Sequence, residues 1–376
     1  MNSLTKLKRI PNLTPIRSIL AFLVVIFHIA QFSKSRDFPF YNDLAIFNKG
    51  TEAVYMFFSL SGFLIIKQLF NEKKYTNSID LKGFYLRRIL RIFPLYYLIL
   101  TYGFLHYHFI LPFFGFEFEN NYDFLSGFLL AISFFPNIFS TYRPGGILEI
   151  LWSIGIEEQF YLFIAPLFLI LPIKRVLLFL GAFTTLYFLV FFSEDLDFLI
   201  KYKMLFFFFS FGGLCAILFN QKTFQILIKK LRYPILITFI VYFTTTIFKN
   251  NFNLFYYTLF SFILFGFTVA ALALKPIKIL QNKPLNYLGK ISYGIYMYHA
   301  IIMHLVGLFY LKVISKLGFP YVLDIIIINV TVLILTIILS HFSFKYYESY
   351  FLNLKRKPNI KRKVEIKPQQ KSAEVT

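Results

Sequence analysis

The sequence contains very little cysteine and few acidic residues, and each shortage excludes a class of protein. One cysteine, Cys215, stands among 376 residues, so the chain has neither a disulfide framework nor a cysteine-based metal cluster. Acidic residues number 18 against 39 basic ones, a net charge of +21 that would suggest nucleic-acid binding in a soluble protein. However, 58% of the residues are hydrophobic and 53 are phenylalanine, more apolar surface than a soluble core of this size can bury. We therefore expect an all-α polytopic integral membrane protein, with lipids and not nucleic acid as partners.

Apolar segments long enough to cross a membrane, which takes about 20 residues, recur along the chain. The pattern predicts ten spans, near residues 16–34, 52–70, 90–112, 152–171, 176–192, 203–219, 234–248, 254–273, 292–312 and 322–343. With a cytoplasmic N-terminus, the inner segments hold 30 of the 39 Lys and Arg residues and 5 of the 18 acidic residues. This excess of basic residues follows the positive-inside rule and predicts that both termini are cytoplasmic.

Three segments need separate interpretation. Lys6, Lys8 and Arg9 precede the first apolar run as in a signal peptide, but no small-residue cleavage site follows, so we expect a retained helix. A full crossing at 122–139 would reverse every later loop, so we predict a re-entrant or interfacial element on the outer side. Residues 1–350 then form one transmembrane domain, and residues 351–376 are predicted to be a disordered, basic cytoplasmic tail.

The first span contains two ionisable residues, Arg17 and His28. Eleven residues advance a helix by about 16.5 Å and rotate it by three turns plus roughly 20°, so both side chains project from one face. Arg17 alone would be explained as an inside anchor and His28 as a packing residue. Because ionisable groups within a membrane are costly and usually functional, we favour a role for His28 as a proton acceptor.

A basic cluster precedes the third span. Arg87, Arg88 and Arg91 stand at i, i+1 and i+4, and Arg88 and Arg91 share a helix face. Three arginines are sufficient for an inside anchor, but arginine also matches phosphate geometry as lysine does not. Both interpretations stay open from the residues alone.

Two acidic residues, Glu157 and Glu158, enter the outer end of the fourth span. Adjacent helical residues point about 100° apart, so the two do not form a paired-carboxylate couple. One could face the protein interior, with Tyr161 one turn from Glu157. The alternative is an ordinary solvated helix N-terminus, where acidic residues are favoured.

A polar stripe runs along the ninth span, where Ser292, Tyr296 and His299 recur at i, i+4 and i+7. Such residues either contact a ligand or join helices by hydrogen bonds, and both roles stay open. No H-E-x-x-H spacing occurs, so we predict no metal site.

In this order, the clusters resemble the membrane-bound acyltransferase 3 family, which includes O-antigen and exopolysaccharide O-acetyltransferases. The similar stretches are Arg17 with His28, "FFSLSGFLI" at 57–65, "FYLRRILRIFPLYY" at 84–97, "LWSIGIEEQFYL" at 151–162 and "LGKISYGIYMYH" at 288–299. Two positions depart from the family pattern. Tyr55 stands where an acidic residue is frequent, with Glu52 three residues earlier, and Ala300 and Ile301 replace a Trp-Pro continuation.

The resemblance implies transfer of an acyl group, usually acetyl, from cytoplasmic acyl-CoA to a saccharide hydroxyl at a bacterial inner membrane. The acyl-CoA is a co-substrate, and no permanently bound cofactor is implied. The implied site residues are Arg17, His28 and Glu157 as catalytic groups, Arg87, Arg88 and Arg91 at the donor, and Ser292, Tyr293, Tyr296, His299 and Glu158 as acceptor-binding or structural groups. The acceptor would be a cell-surface or lipid-linked saccharide. The alternatives are a transporter or flippase of a lipid-linked sugar or acyl group, and a membrane scaffold.

Overall fold

The computed structural model describes residues 10–116 and 121–354, which form helices and connecting turns without a β-strand. Ten of the described helices have 13 residues or more, and each overlaps one predicted span. They are α1 (Leu13–Lys34), α2 (Gly50–Thr76), α3 (Leu81–Leu105), α4 (Trp152–Ile170), α5 (Ile173–Phe191), α6 (Phe206–Leu218), α7 (Lys222–Thr244), α8 (Leu254–Leu274), α9 (Ser292–Lys312) and α10 (Tyr321–Phe342).

Eight helical segments in the described residues are long and apolar enough to cross a membrane, which makes the protein a multi-pass one. The two other long helices have distinct reasons for falling short. Helix α6 has 13 residues and rises about 19.5 Å, less than a bilayer core. Helix α7 has 23 residues but carries Lys222, Lys229, Lys230 and Arg232 in its first half. A count of ten crossings, and the cytoplasmic position of both termini, stay predictions.

Parts of both ends of the chain lie outside the described residues. These parts are Lys6, Lys8 and Arg9 at the N-terminal end and residues 355–376 of the predicted tail. The short helix Ser349–Asn353 covers the first residues of that predicted tail, so the helical domain extends slightly past residue 350.

The segment at 122–139 folds as two short helices, Phe124–Ile132 and Pro136–Phe139. Nine residues rise about 13.5 Å, too little to cross the hydrocarbon layer. Phe134 at the turn between them has a left-handed φ of 64°. Side chains of α3 and α4 hold the turn, since Tyr96 donates to Ala131 O at 2.6 Å and Gln159 donates to Phe134 O at 2.8 Å.

Helix α6 is buried at the centre of the bundle, where it packs against α2, α5 and α8. Glycines permit its closest approach to α2. A Cβ on Gly62 would lie 2.0 Å from the Phe209 carbonyl oxygen, and one on Gly212 would lie 2.2 Å from the Ser59 carbonyl oxygen. Small residues commonly allow such contact between membrane helices. This packing fixes α2, and α2 carries residues of both cavities described below.

We expect Gly62→Ala to destabilise the protein, because the obstructing atom is a backbone oxygen that cannot rotate away. Overpacking of this kind costs typically about 1–3 kcal/mol. Gly181→Ala is the matched control, since no atom lies within 4 Å of its Cβ position in helix α5. Thermal unfolding of the detergent-solubilised protein should show a lower Tm for Gly62→Ala than for Gly181→Ala. Equal Tm values would contradict this account of the α2–α6 contact.

Candidate active site

A cavity of about 630 Å³ lies between helices α1, α2, α3, α4 and α9. Its volume falls within the range of roughly 300–1,000 Å³ that is usual for small-molecule and cofactor sites. Seven of the eleven residues predicted for the site line it: Arg17, Arg88, Arg91, Glu157, Ser292, Tyr293 and Tyr296. We call it the inner cavity, because it contains the basic residues at the predicted cytoplasmic ends of the helices.

The start of helix α1 is held in place by one buried asparagine, Asn12. Its amide nitrogen donates to Leu272 O at 2.7 Å and to Lys275 O at 2.8 Å, at the end of α8. Its amide oxygen accepts from Ile277 N at 3.0 Å and Gln281 Nε2 at 2.8 Å. Arg17 follows less than two turns later, so this network sets its position at the cavity.

Three guanidinium groups converge on the inner cavity, those of Arg17, Arg88 and Arg91. Arg17 lies close enough to Arg88 and Arg91 to interact with both electrostatically. None of the three forms a salt bridge within the part of the chain that the structure describes, where Lys49–Glu52 is the one such pair. The Nε atom of Arg88 is buried and has no hydrogen-bond partner there. Unpaired cations around an enclosed space favour an anionic ligand.

Glu157 is the acidic residue of the inner cavity. Its Oε1 atom accepts hydrogen bonds from the Ser61 hydroxyl at 2.6 Å and from the Tyr161 hydroxyl. These two donors fix the orientation of the carboxylate, and Glu157 also interacts electrostatically with Arg17. Ser61 was not singled out from the sequence. Its signal was a hydroxyl beside Gly62 in an apolar helix, within the "FFSLSGFLI" stretch.

Two histidine rings lie beyond the inner cavity, in the direction away from Arg17. The centroids of His28 and His299 are 5.1 Å apart. His299 is fully buried, and its Nδ1 lies 2.5 Å from the carbonyl oxygen of Tyr296. Because a carbonyl only accepts, Nδ1 is the donor, which leaves Nε2 of the neutral ring as an acceptor. No described group hydrogen-bonds to that buried Nε2 atom.

The hydroxyl groups of the polar stripe are directed at protein atoms. The Ser292 hydroxyl donates to Gly289 O at 3.0 Å and that of Tyr293 to Ile92 O at 2.9 Å. The Tyr296 hydroxyl donates to Ile150 O at 2.8 Å and accepts from Ser153 at 2.6 Å. These bonds join α9 to α3 and to the start of α4, as expected for a structural role.

Besides His28 and His299, two predicted site residues do not line the inner cavity, Arg87 and Glu158. The Arg87 guanidinium lies beside Gly83 and Asp80 at the start of α3. Glu158 points to another side of α4 than Glu157, and its buried Oε1 atom has no partner among the described residues. Both follow from the 100° rotation between adjacent helical residues.

A second cavity of about 350 Å³ lies near His28, on the side away from Arg17, and we call it the outer cavity. It is lined by Phe27, which contacts the His28 ring, and by Tyr55 and Lys203. Tyr55 of this cavity contacts Phe58 of the inner cavity, and Lys203 Nζ lies 4.6 Å above the Trp152 ring.

No cluster of three or more His, Cys, Asp or Glu residues that could hold a metal ion is found within residues 10–116 and 121–354.

Comparison with known proteins adds to this geometry. The chain is 29% identical over 283 residues to a candidate acetyltransferase, ORF330, of Acidianus two-tailed virus, a match that covers 70% of this chain and 76% of that protein. It is 30% identical over 176 residues to the peptidoglycan O-acetyltransferase OatA of Listeria monocytogenes, which covers 45% of this chain and 25% of that one. No solved structure matches the chain.

A family model, that of the acyltransferase 3 family with the description "Acyltransferase domain", matches residues 10–341. This range contains both cavities and every residue predicted for the site. A match over most of the chain shows that the protein belongs to the acyltransferase 3 family and is a multi-pass membrane acyltransferase.

Proposed function

We propose that the protein transfers an acyl group, most simply acetyl, from cytoplasmic acyl-CoA to a hydroxyl of a saccharide on the outer side of a bacterial inner membrane. The observation that carries this proposal is the set of three unpaired guanidinium groups at the inner cavity, with a histidine pair at its far end. The acetyltransferase names of the relatives support acetyl as the transferred group, and the name of OatA supports a glycan acceptor.

The donor binds with its phosphates at Arg17, Arg88 and Arg91. Arginine binds phosphate through several donors at once, and a cavity that excludes water strengthens the attraction. Arg17 and His28 are separated by about 16.5 Å along α1, a distance that a long arm such as pantetheine can bridge. The thioester carbon then lies near the two imidazole rings.

His28 takes the proton of the acceptor hydroxyl as its oxygen attacks the thioester carbonyl. The new C–O bond forms, the C–S bond breaks, and the CoA thiolate leaves and is protonated. A two-step route is equally consistent, in which His28 is first acylated and the hydroxyl then removes the acyl group. The acceptor nitrogen of His299 lies close enough to hold a hydroxyl or to orient the His28 ring.

Glu157 positions the inner end of the site. Held by Ser61 and Tyr161, its carboxylate faces the guanidinium of Arg17 without forming a salt bridge. It therefore limits where Arg17 can lie while leaving the guanidinium available to a phosphate.

Replacement of His28 tests the catalytic assignment. We expect His28→Ala to lower acetyl transfer by about 10²–10⁴-fold, the usual contribution of a general base. The measurement is transfer of radiolabel from acetyl-CoA to a saccharide by purified protein in detergent. His341→Ala is the matched control, because that ring contacts Tyr287, and neither residue lines a cavity. A folded His28→Ala protein with full activity would contradict the assignment. A wild-type protein that consumes no thioester would instead favour transport without chemistry.

Replacement of an arginine tests donor binding. Arg91→Gln should raise the KM for acetyl-CoA by on the order of 10–100-fold, because a hydrogen bond to a charged group contributes about 1.5–3 kcal/mol. S-acetyl-pantetheine lacks the phosphates, so acetyl transfer from this donor should be nearly the same for the variant and the wild type. Arg87→Gln is the control, since this neighbouring arginine does not line the cavity. An equal loss with both donors would show that Arg91 does not recognise phosphate.

A further inference from the structure

The outer cavity is built from segments at the opposite end of the helices from the inner cavity. Its lining includes Asn48 and Thr51 at the start of α2, whereas the inner cavity is lined by Lys67 and Gln68 on the same helix. Sixteen residues separate Thr51 from Lys67, a rise of about 24 Å. The two cavities therefore lie toward opposite sides of the membrane.

Five of the fourteen residues that line the outer cavity are aromatic: Phe27, Tyr55, Phe191, Phe192 and Tyr257. Ligand sites are typically lined in this way, with a few polar groups that set orientation. Sugar rings present flat C–H faces that pack on aromatic rings, so these walls suit a saccharide.

Three ionisable side chains, Glu52, Lys203 and Lys249, line this cavity. Glu52 is already paired, since Lys49 Nζ lies 3.8 Å from its carboxylate and Tyr257 donates to it at 2.8 Å. Lys49 is held in turn by the Tyr257 hydroxyl at 2.9 Å and by the Tyr242 ring at 4.5 Å.

Lys203 and Lys249 have no carboxylate partner of this kind among the described residues, although Lys203 Nζ lies 4.6 Å above the Trp152 ring. Neither forms a salt bridge with any residue that the structure describes. Glu149 is near enough to interact electrostatically with Lys203 but does not lie within 4.0 Å of it. The cavity thus presents two cations that are not neutralised by direct pairing.

The backbone at Lys203 is strained. Its φ of 53° lies in the left-handed region, which residues other than glycine and asparagine rarely adopt. Its carbonyl accepts from Leu205 N at 2.8 Å, and Met204 N donates to Leu199 O at 2.9 Å, so the turn is closed on both sides. Strained residues of this kind are concentrated at functional sites. Lys203 also interacts electrostatically with His28, which places its charge beside the proposed reaction centre.

We infer that the outer cavity binds an acidic group of the acceptor through Lys203 and Lys249, and that this contact places a neighbouring sugar hydroxyl at His28. The acceptor is therefore an anionic saccharide, with its charge on a sugar carboxylate or on the phosphate of a glycolipid. This inference rests on the proposed function, and it adds the class of acceptor.

The test compares matched acceptors with the purified full-length protein and radiolabelled acetyl-CoA. The first arm uses a uronic-acid oligosaccharide and the same oligosaccharide with its carboxyl groups reduced to alcohols. The second arm uses a neutral sugar linked to a lipid phosphate and the same sugar linked to an uncharged lipid. We expect kcat/KM to be about tenfold or more higher for the anionic member in at least one arm, which is the usual effect of a charged hydrogen bond. The preferred arm identifies carboxylate or phosphate as the group that is bound.

Variants of the two lysines test whether these residues cause the preference for the anionic acceptor. Lys203→Gln and Lys249→Gln should each reduce the preference through the acceptor KM, with the KM for acetyl-CoA unchanged, and Lys203→Arg should retain it. Lys201→Gln is the control, because this lysine is two residues away and does not line the cavity. Equal use of charged and neutral acceptors, or a preference that persists in folded variants, would overturn the inference. The absence of transfer to every acceptor would overturn the proposed function instead.

Discussion

Three guanidinium groups line one cavity of the helix bundle without a salt bridge to any described residue, and the rest of the site is arranged around that constraint. Charge in such surroundings is costly unless a counter-charge is supplied. Arg17, Arg88 and Arg91 lack a paired carboxylate, while Glu157 is held by Ser61 and Tyr161 at the side of the same space. The proposed phosphate-bearing donor would supply this counter-charge, and its long arm would extend toward His28.

The histidine pair, His28 and His299, lies on the side of the inner cavity that is away from Arg17. His28 and His299 lie in contact beyond the inner cavity, and the outer cavity begins at Phe27. Each cavity contains cations without a salt bridge in the described part of the chain, three arginines with Lys67 in the inner cavity and two lysines in the outer cavity. The difference in residue type is meaningful, since arginine offers several directed donors to phosphate whereas lysine is a compact charge. The arrangement therefore suits two different anionic substrates that meet at the imidazole rings without passing one another.

The periodic features of this structure could be predicted from the sequence. Hydrophobic segments located the ten long helices, and helical rotation placed Arg88 with Arg91 and separated Glu157 from Glu158. A helix is rigid, so the spacing of its residues fixes their relative directions. The sequence alone did not decide whether the polar stripe contacts a ligand or joins helices. In the structure, the hydroxyl groups of Ser292, Tyr293 and Tyr296 form hydrogen bonds with protein atoms.

The outer cavity could not be predicted in that way. Its residues come from helices and loops far apart in the chain, and only tertiary packing brings Glu52, Lys203 and Lys249 to one space. The contact between His28 and His299 likewise depends on how α1 packs against α9. Helix α6 is too short for a simple crossing, and glycines that only packing explains hold it against α2. The periodicity within one helix cannot predict these contacts between helices.

In the proposed reaction, donor and acceptor bind from opposite sides of the membrane and meet at His28. Sealed proteoliposomes test this arrangement when they carry an acidic saccharide in the lumen and radiolabelled acetyl-CoA outside, since neither substrate crosses a lipid bilayer unaided. Protein molecules inserted with the inner cavity toward the external medium should then acetylate the saccharide in the lumen. The label should appear in the lumen, and CoA should be released into the external medium. Transfer that occurs only when both substrates share one compartment would contradict the account.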